Sequence, residues 1–341
     1  MLAVEDLAIG YKSPRTPVHV VAEDINISLN EGELVCLIGP NGVGKSTLMR
    51  TLAGMQLPLA GRVAIDGSDI HTMPARERAK RLSVVLTERV SAGLLSAYAL
   101  VGLGRYPHTN WSGTLSDKDH EVIQSAIRMV GAEALMHRSV SELSDGERQK
   151  IMMARALAQE PRMMILDEIT AFLDLPRRVE IMRLLRRLAR TTGRAILLST
   201  HDLDLALRSA DRIWLLAQGG VLQAGAPEDL VLNGAFEAAF ASEGVDFDRE
   251  HGSFRIHQRF EAEVELVGEG AALFWTRRAL EREGLHIQEN GQPASLRVEI
   301  VSEGASLRWQ LTHGGQTHTY DALYDLTRYV QSFPLTTRTE S

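Results

Sequence analysis

A glycine-rich stretch at residues 39–47 carries the most specific chemistry in the chain. It consists of Gly39, Pro40, Asn41, Gly42, Val43, Gly44, Lys45, Ser46 and Thr47. Glycines let backbone N–H groups crowd around phosphate oxygens, Lys45 can neutralise β and γ oxygens, and the Ser46 hydroxyl suits Mg²⁺. A ligand-free turn is the alternative, but it must also explain the apolar strand before the loop and the helix after it. The pattern therefore predicts a site for a nucleoside triphosphate.

Two adjacent carboxylates, Asp167 and Glu168, follow the apolar run Met-Met-Ile-Leu at residues 163–166. Open α/β sheets bind ligands beyond the carboxyl ends of their strands. In that place Asp167 would orient Mg²⁺ or its water, and Glu168 would polarise an attacking water. Acidic residues also end strands as helix caps, so the hydrolytic interpretation depends on the phosphate loop upstream.

A third motif, Leu-Ser-Asp-Gly-Glu, occupies residues 143–147 and precedes a helix. Ser144 and the backbone of Gly146 would form an anion site at the start of that helix. By itself the pentapeptide fits a plain N-cap with early acidic residues equally well. Its place between the two phosphate-related motifs favours the anion site.

The order of strands and helices that must position these residues predicts an α/β fold. Residues 34–38 are apolar on both faces, as in a buried central strand. We expect further strands at 3–11, 24–29, 62–66, 82–86, 163–167 and 195–200, and helices at 45–54, 146–158 and 176–190. Strand signals stop between about 88 and 143, where helices indicate an inserted helical subdomain. One of these helices, 117–130, follows Ser116, which lies three residues before Asp119 in a capping-box-like arrangement.

The pattern changes again after residue 260. Apolar and polar residues alternate over 296–300 and 307–311, a Gly-Gly turn follows at 314–315, and helices are expected at 271–283 and 322–331. We therefore predict two domains, residues 1–260 and a small α+β domain at 261–341. The histidines of the second domain lack a metal-ligand spacing, and we interpret it as a regulatory or dimer-contacting domain.

The composition of the 341 residues excludes several classes of protein. A net charge of −7 gives no basic excess for binding a nucleic acid backbone. We find no apolar run of the roughly 20 residues that a membrane span needs. Cys36 is the single cysteine, which excludes an intrachain disulfide. These properties predict a cytosolic chain with no nucleic acid partner.

Taken together, the motifs over residues 1–260 resemble the ATPase domain of the ABC (ATP-binding cassette) family. They occur in the family's order and are completed by His201 in Leu-Ser-Thr-His-Asp at residues 198–202. The resemblance implies a P-loop ABC ATPase domain with a mixed sheet, an antiparallel β edge and the helical insert. It also implies ATP and Mg²⁺ as cofactors and a homodimer that closes around two ATP molecules.

The resemblance also implies roles for individual residues. Tyr11 would stack on adenine, although a surface aromatic near a strand end is the simpler alternative. Ser144 and Gly146 would contact the γ-phosphate that the partner protomer binds. Lys45, Glu168 and His201 would be the catalytic residues, with His201 holding the γ-phosphate and the water. The loop at residues 171–174 would cross the dimer seam.

Two departures from the family pattern affect these roles. Leu86-Thr87 and Glu88 stand where a Pro-Gln pair is usual, so Thr87 would offer only a short hydroxyl to Mg²⁺, and Glu88 is either a substitute or a solvated carboxylate. Asp145 and Glu147 replace a small residue and a glutamine in the signature. The other catalytic residues are retained, and we expect an active enzyme whose hydrolysis is slower or more tightly coupled.

Within the family, residues 104–108 (Gly-Arg-Tyr-Pro-His) and 170–174 resemble importers of iron siderophores, haem or cobalamin. That likeness implies two copies at the cytoplasmic face of the cell membrane, beneath permease subunits supplied by an extracytoplasmic binding protein. The helical insert would dock a permease loop, although Pro107 would end a helix whatever the partner. The alternative is a soluble ABC ATPase that acts in Fe–S cofactor assembly without a permease.

Overall fold

A computed structural model describes residues 1–13, 16–86, 95–171, 173–240, 245–249, 252–256, 262–288, 294, 296–303 and 306–332. The chain forms two compact units, Met1–Ser242 with Phe247–Arg255, and Glu243–Asp246 with Ile256–Ser341. The predicted boundary between residues 260 and 261 lies outside the described residues, and the predicted domain limits stay a prediction.

The strands up to residue 256 are β1 (Leu2–Ser13), β2 (Thr16–Leu29), β3 (Leu34–Ile38), β4 (Ala60–Ile65), β5 (Ser68–Asp69), β6 (Leu82–Val85), β7 (Met163–Asp167), β8 (Ala195–Ser199), β9 (Arg212–Leu216), β10 (Leu222–Gly225), β11 (Val245–Asp248) and β12 (Ser253–Ile256). The helices are α1 (Lys45–Leu52), α2 (Ala75–Arg81), α3 (Ala97–Gly102), α4 (Asp117–Met129), α5 (Asp145–Ala158), α6 (Leu175–Thr192), α7 (Leu203–Ser209), α8 (Pro227–Leu232) and α9 (Ala235–Phe240).

A six-stranded sheet in the order β10-β9-β3-β8-β7-β6 forms the centre of the first unit. All neighbours in it run parallel except β10, which is antiparallel to β9. Every residue of β3 is buried, which explains its continuous apolar run. A second sheet, β2-β1-β4-β5, is antiparallel. The predicted α/β fold with an antiparallel edge is confirmed.

The predicted helical insert contains α3 and α4 together with short 3₁₀ turns at Leu103–Arg105, Glu133–Leu135 and Val140–Glu142. The Ser116 hydroxyl accepts a hydrogen bond from the backbone N–H of Asp119, whose carboxylate accepts one from the Ser116 N–H. This capping box fixes the start of α4, as the sequence predicts. Buried side chains of α3, α4 and α5 join the same hydrophobic core as one face of the central sheet.

The second unit is a small α+β structure. Its elements are β13 (Ala262–Val267), α10 (Gly270–Arg282), β14 (Leu285–Gln288), β15 (Leu296–Glu303), β16 (Ser306–His313), β17 (Gln316–Tyr320) and α11 (Leu323–Gln331). The strand order is β14-β13-β15-β16-β17, with β13 parallel to β14 and β15 and the other pairs antiparallel. Val298 and Leu311 face each other in the core, which explains the alternating pattern. Within the described part of the chain, none of the helices combines the length and apolarity that a membrane crossing requires.

Candidate functional site

The glycine-rich loop connects β3 to α1 through positions that only glycine fits. A Cβ on Gly39 would lie 2.1 Å from the carbonyl oxygen of Leu216, and a Cβ on Gly44 would lie 2.2 Å from Cγ1 of Val21. Gly44 also has a φ of +113°, in the left-handed region that disfavours side chains. The loop can therefore pack closely against β9 and present the first N–H groups of α1.

Lys45 is buried within this loop and is 6% exposed. Its Nζ donates hydrogen bonds to the carbonyl oxygens of Gly39, at 2.8 Å, and Pro40, at 3.0 Å. Burial lowers the pKa of Lys45, whereas the negative charges of Glu168 and Asp167 oppose that shift. The acidic end of β7 therefore acts electrostatically on the phosphate loop, although the two motifs are far apart in sequence.

The two carboxylates at the end of β7 are held by a residue of the neighbouring strand β8. Ser199 Oγ donates a hydrogen bond to Asp167 Oδ1 at 2.5 Å and accepts one from the backbone N–H of Glu168 at 3.0 Å. Glu168 has a φ of +49°, a left-handed conformation that is uncommon for a residue with a side chain. Such a conformation persists where surrounding bonds enforce it, and Ser199 supplies one of them.

His201 follows β8 and contacts the carboxylate of Glu168. Its Nε2 lies 2.5 Å from Glu168 Oε1, and both side chains are partly open to solvent. Because β8 lies between β3 and β7 in the sheet, the ends of these three strands are neighbours at one edge. The edge thus carries a phosphate-binding loop, a buried ammonium, two carboxylates and an imidazole, a set that can bind a phosphate chain and activate water for its hydrolysis.

Tyr11 on β1 lies beside the first turn of α1. Its hydroxyl forms a hydrogen bond of 2.7 Å with Thr47 Oγ1, and about half of its side chain is exposed. The ring stacks on His19, with centroids 6.4 Å apart. Tyr11 therefore has an open aromatic ring next to the phosphate loop, and its contact with adenine stays a prediction.

Ser144 and Gly146 lie at the start of α5. Ser144 caps the helix, and its N–H and hydroxyl both donate to Glu147 Oε2 at 2.9 Å. The pKa of Glu147 is lowered, first by the Ser144 N–H and then by the Ser144 hydroxyl. The Ser144 N–H and side chain bond to Glu147, and its carbonyl oxygen accepts the helical bond from the Arg148 N–H, so its contact with the γ-phosphate of a partner protomer stays a prediction.

Two family matches cover most of the chain. Residues 22–171 match the ABC transporter family, and residues 261–331 match the iron ABC transporter C-terminal domain. The ABC transporter ATP-binding protein MJ0873 of Methanocaldococcus jannaschii is 41% identical over 256 residues, which cover 75% of this chain and 87% of that protein. This chain belongs to the ABC transporter ATP-binding family.

Two further comparisons extend this assignment. The iron(3+)-hydroxamate import ATP-binding protein FhuC of Bacillus subtilis is 38% identical to this ABC ATPase over 224 residues, or 66% of this chain and 81% of that protein. The solved dimeric structure of the ABC transporter cassette MJ0796 covers 67% of this chain and 99% of its own, with a TM-score of 0.58 and 26% identity. As a member of the family, the chain binds ATP and hydrolyses it to ADP and phosphate, coupled to transport.

The residues of this ABC ATPase that were predicted to hold Mg²⁺ are suited to that ion. Ser46 is exposed in the first turn of α1, and Asp167 is partly buried at the end of β7. Hydroxyl and carboxylate oxygens are the hard donors that Mg²⁺ prefers, so the donor set fits. Thr87 and Glu88 lie outside the described residues.

Sequence reasoning missed one residue of this site, Ser199. The available signal was a hydroxyl residue at the end of a buried apolar strand, two positions before His201. The pattern did not show that this strand would neighbour β7. Only the strand order brings the Ser199 hydroxyl to Asp167 and Glu168.

Proposed function

We propose that this ABC ATPase powers the import of an iron chelate such as a siderophore, with haem or cobalamin as alternative cargoes, through a membrane permease. The observation that carries the proposal is that one chain contains two matches. Residues 22–171 match the ABC transporter family, and residues 261–331 match the iron ABC transporter C-terminal domain. The printed function of the B. subtilis relative, iron(3+)-hydroxamate import, supports the same class of cargo. We do not propose the soluble Fe–S assembly ATPase, because these matches are to transporter proteins.

ATP binding uses the N–H groups of residues 39–47 and the side chain of Lys45. The ammonium exchanges the carbonyl oxygens of Gly39 and Pro40 for the β- and γ-phosphate oxygens of ATP. Burial makes that charge costly, and the negative phosphates compensate for it. Tyr11 stacks on the adenine. Ser46 and Asp167, with Thr87, would hold Mg²⁺, which would neutralise charge on the phosphate oxygens.

Hydrolysis depends on the pair formed by Glu168 and His201. Glu168 accepts the hydrogen bond of the attacking water and so orients it towards the γ-phosphate. His201, in contact with Glu168 Oε1, fixes that carboxylate and contacts the γ-phosphate. Ser144 and Gly146 of a second copy complete the site when two copies close around two ATP molecules. The dimeric state of the solved relative supports this arrangement.

The helical insert provides the surface that we propose for the permease. Leu103, Tyr106 and Trp111 are 55%, 78% and 98% exposed, so the insert presents several large apolar side chains to solvent. Arg105, between the first two, is only 2% exposed and donates to Asp119 at 2.8 Å and to Glu160 at 2.7 Å. An ion-pair network centred on the buried Arg105 thus positions the exposed residues. The chain sits at the cytoplasmic face of the membrane in this proposal.

Affinity purification from detergent-solubilised membranes of the native cell tests the proposal. We expect a polytopic permease to copurify with the tagged wild-type chain, with an extracytoplasmic binding protein recovered through it. Tyr106→Ser and Trp111→Ser should reduce permease recovery while ATP hydrolysis of the isolated chain remains. Leu232→Ser is the matched control, since Leu232 is an equally open apolar residue, 75% exposed, on α8.

Recovery of soluble partners alone, with ATP binding intact, would contradict the importer and favour the assembly ATPase. The cargo is tested separately in whole cells that carry the permease. Uptake of radiolabelled ferric hydroxamate should require the wild-type ATPase and stop with Lys45→Ala. If the cells instead take up labelled cobalamin or haem, the chain is still an importer ATPase, but its cargo is not an iron hydroxamate.

A further inference from the structure

A cleft of about 600 Å³ in the second unit is lined by two helices. Its walls are Trp275, Arg278, Ala279 and Arg282 from α10 and Leu323, Tyr324 and Thr327 from α11. The four α10 residues are spaced at i, i+3, i+4 and i+7, so they share one helical face. The volume lies within the range of small-molecule sites. Its lining residues all belong to the second unit, whereas the residues of the ATP site belong to the first unit.

The large aromatic residues of this cleft are not used to build the core. Trp275 is 59% exposed and Tyr324 is 68% exposed. The same helices bury other residues, Leu280 of α10 and Leu326 and Val330 of α11, against the sheet. Removing apolar ring surface from water is favourable, so a ligand that covers these rings gains free energy that folding of the chain alone does not provide.

The charge of the cleft is positive. The Arg278 guanidinium lies over two rings, with Cζ 5.5 Å from the Trp275 centroid and 5.6 Å from that of Phe274. Among the residues that the structure describes, Arg278 has no carboxylate partner. Stacking occupies the faces of a guanidinium and leaves the N–H donors at its edge available. Arg282, one turn further along α10, adds a second guanidinium and is bonded to Glu283 at 3.3 Å.

We propose that this cleft binds a planar aromatic anion, a flat ring that carries a carboxylate. The ring stacks on the exposed faces of Trp275 and Tyr324, and the carboxylate takes two parallel hydrogen bonds from Arg278. The ligand needs both the ring and the carboxylate, because the cleft combines exposed aromatic rings with a guanidinium that has no carboxylate partner among the described residues. This binding site goes beyond the transport function and does not depend on it.

Isothermal titration of the full chain with 2-naphthoate tests the proposal. Saturating ADP keeps the probe out of the nucleotide site. We expect one site per chain with a dissociation constant below about 1 mM. Cyclohexanecarboxylate has the charge without a flat ring, and 2-naphthalenemethanol has the ring without the charge. Each should bind at least about tenfold more weakly than 2-naphthoate.

Variants separate this cleft from other surfaces. Arg278→Gln and Trp275→Leu should each weaken 2-naphthoate binding by about tenfold or more, with unchanged thermal unfolding, because both side chains are exposed. Arg297→Gln should bind normally, since Arg297 is an exposed arginine of the same unit that already pairs with Glu265 and Glu299. The proposal is overturned by absence of saturable binding up to about 10 mM, or by equal binding of cyclohexanecarboxylate. It is also overturned if Arg278→Gln binds like the wild type, or if sedimentation shows a dimer of the wild-type chain that Trp275→Leu dissociates.

Discussion

Ser199 Oγ donates a hydrogen bond to Asp167 Oδ1 across 2.5 Å and so links the ends of two adjacent strands. The same oxygen accepts the backbone N–H of Glu168 at 3.0 Å. Ser199 is fully buried, so water cannot readily replace its hydroxyl. Since β8 also leads into His201, one side chain connects the carboxylate predicted to bind Mg²⁺, the residue predicted to orient water and the strand that ends before the histidine. We therefore expect Ser199 to position these groups for hydrolysis.

Replacement of Ser199 by alanine should reduce ATP turnover by about tenfold while ATP affinity changes little, because the carboxylates remain but lose their orientation. A lower kcat with unchanged ATP affinity indicates a positioning role, whereas a general loss of structure would lower both kcat and ATP affinity. Ser83→Ala is the matched control, since Ser83 is buried on β6 and its hydroxyl has no hydrogen-bond partner in the described part of the chain. Equal turnover in the two variants would remove Ser199 from this role.

Glu168→Gln should bind ATP with normal affinity but stop hydrolysis, because binding uses Lys45 and the loop whereas cleavage requires the carboxylate. The dimer should then stay closed around ATP. Size-exclusion chromatography with and without ATP measures the dimer, and phosphate release measures turnover. Lys45→Ala should lose both binding and dimerisation. A Glu168→Gln protein that turns over near the normal rate would falsify the assigned role.

Local sequence patterns predicted the strands that are buried on both faces and the helix start that is fixed by a nearby capping residue. The apolar runs of β3 and β7 were identified because parallel strands buried on both faces need no alternation. The start of α4 was identified from Ser116, whose capping partner lies only three residues away. By contrast, α2 has no buried residues and hence no apolar periodicity for a pattern to detect.

The sequence predicted the motifs of the candidate site but not the hydrogen bonds that connect residues far apart in the chain. Lys45, Glu168 and His201 each belong to a recognisable segment, whereas the bonds of Ser199 depend on the strand order. Arg105 is a similar case. In the sequence it belongs to the segment 104–108, which resembles importers of the family, whereas in the structure its side chain is buried and hydrogen-bonded to Asp119 and Glu160. Distant partners of this kind leave no periodic signal in one sequence.

Tyr11 tests the predicted adenine contact. Tyr11→Ala should weaken ATP binding by about tenfold or more, because base stacking on an aromatic ring is worth about 1–3 kcal/mol. Tyr11→Phe keeps the ring and loses only the hydrogen bond to Thr47, so its ATP affinity should stay close to that of the wild type. Fluorescence titration with a labelled ATP analogue measures both. Normal binding by Tyr11→Ala would favour the simpler interpretation of a surface aromatic.

Glu147 brings a negative charge to the predicted γ-phosphate contact of Ser144. Glu147→Gln retains an acceptor for the Ser144 N–H and hydroxyl but removes the charge, so ATP-driven dimerisation should strengthen. Glu147→Ala also removes the acceptor of the Ser144 N–H and hydroxyl, while Ser144 still caps the helix, and should lower the stability of the chain by about 0.5–1 kcal/mol. Sedimentation at a series of ATP concentrations compares the variants. Weaker dimerisation of Glu147→Gln than of the wild type would contradict the electrostatic argument.

Asp119 makes the stability of the folded chain depend on pH in the acid range. Hydrogen bonds from the Ser116 hydroxyl, followed by the Ser116 N–H and Arg105, lower the pKa of Asp119 to about 2. An unfolded aspartate has a pKa of about 3.9, so this carboxylate stabilises the folded chain fully above that pH. Its contribution is lost as the pH falls from about 4 towards 2.

Asp119→Asn should therefore destabilise the chain at pH 7, by about 3 kcal/mol for a broken buried ion pair, and the difference from wild type should shrink below about pH 4. Thermal unfolding at pH 7, 4 and 3 measures that difference, since pH 7 lies above the unfolded pKa of about 3.9 and pH 3 lies between it and the folded pKa of about 2. Asp204→Asn is the control, because Asp204 pairs with Arg208 on an exposed surface, where an ion pair is worth about 0–1 kcal/mol. Because the unfolded chain takes up the proton before the folded chain does, only the Asp119 variant should converge with the wild type in acid. A difference that stayed constant across this range would mean that packing rather than charge explains the role of Asp119 in the insert.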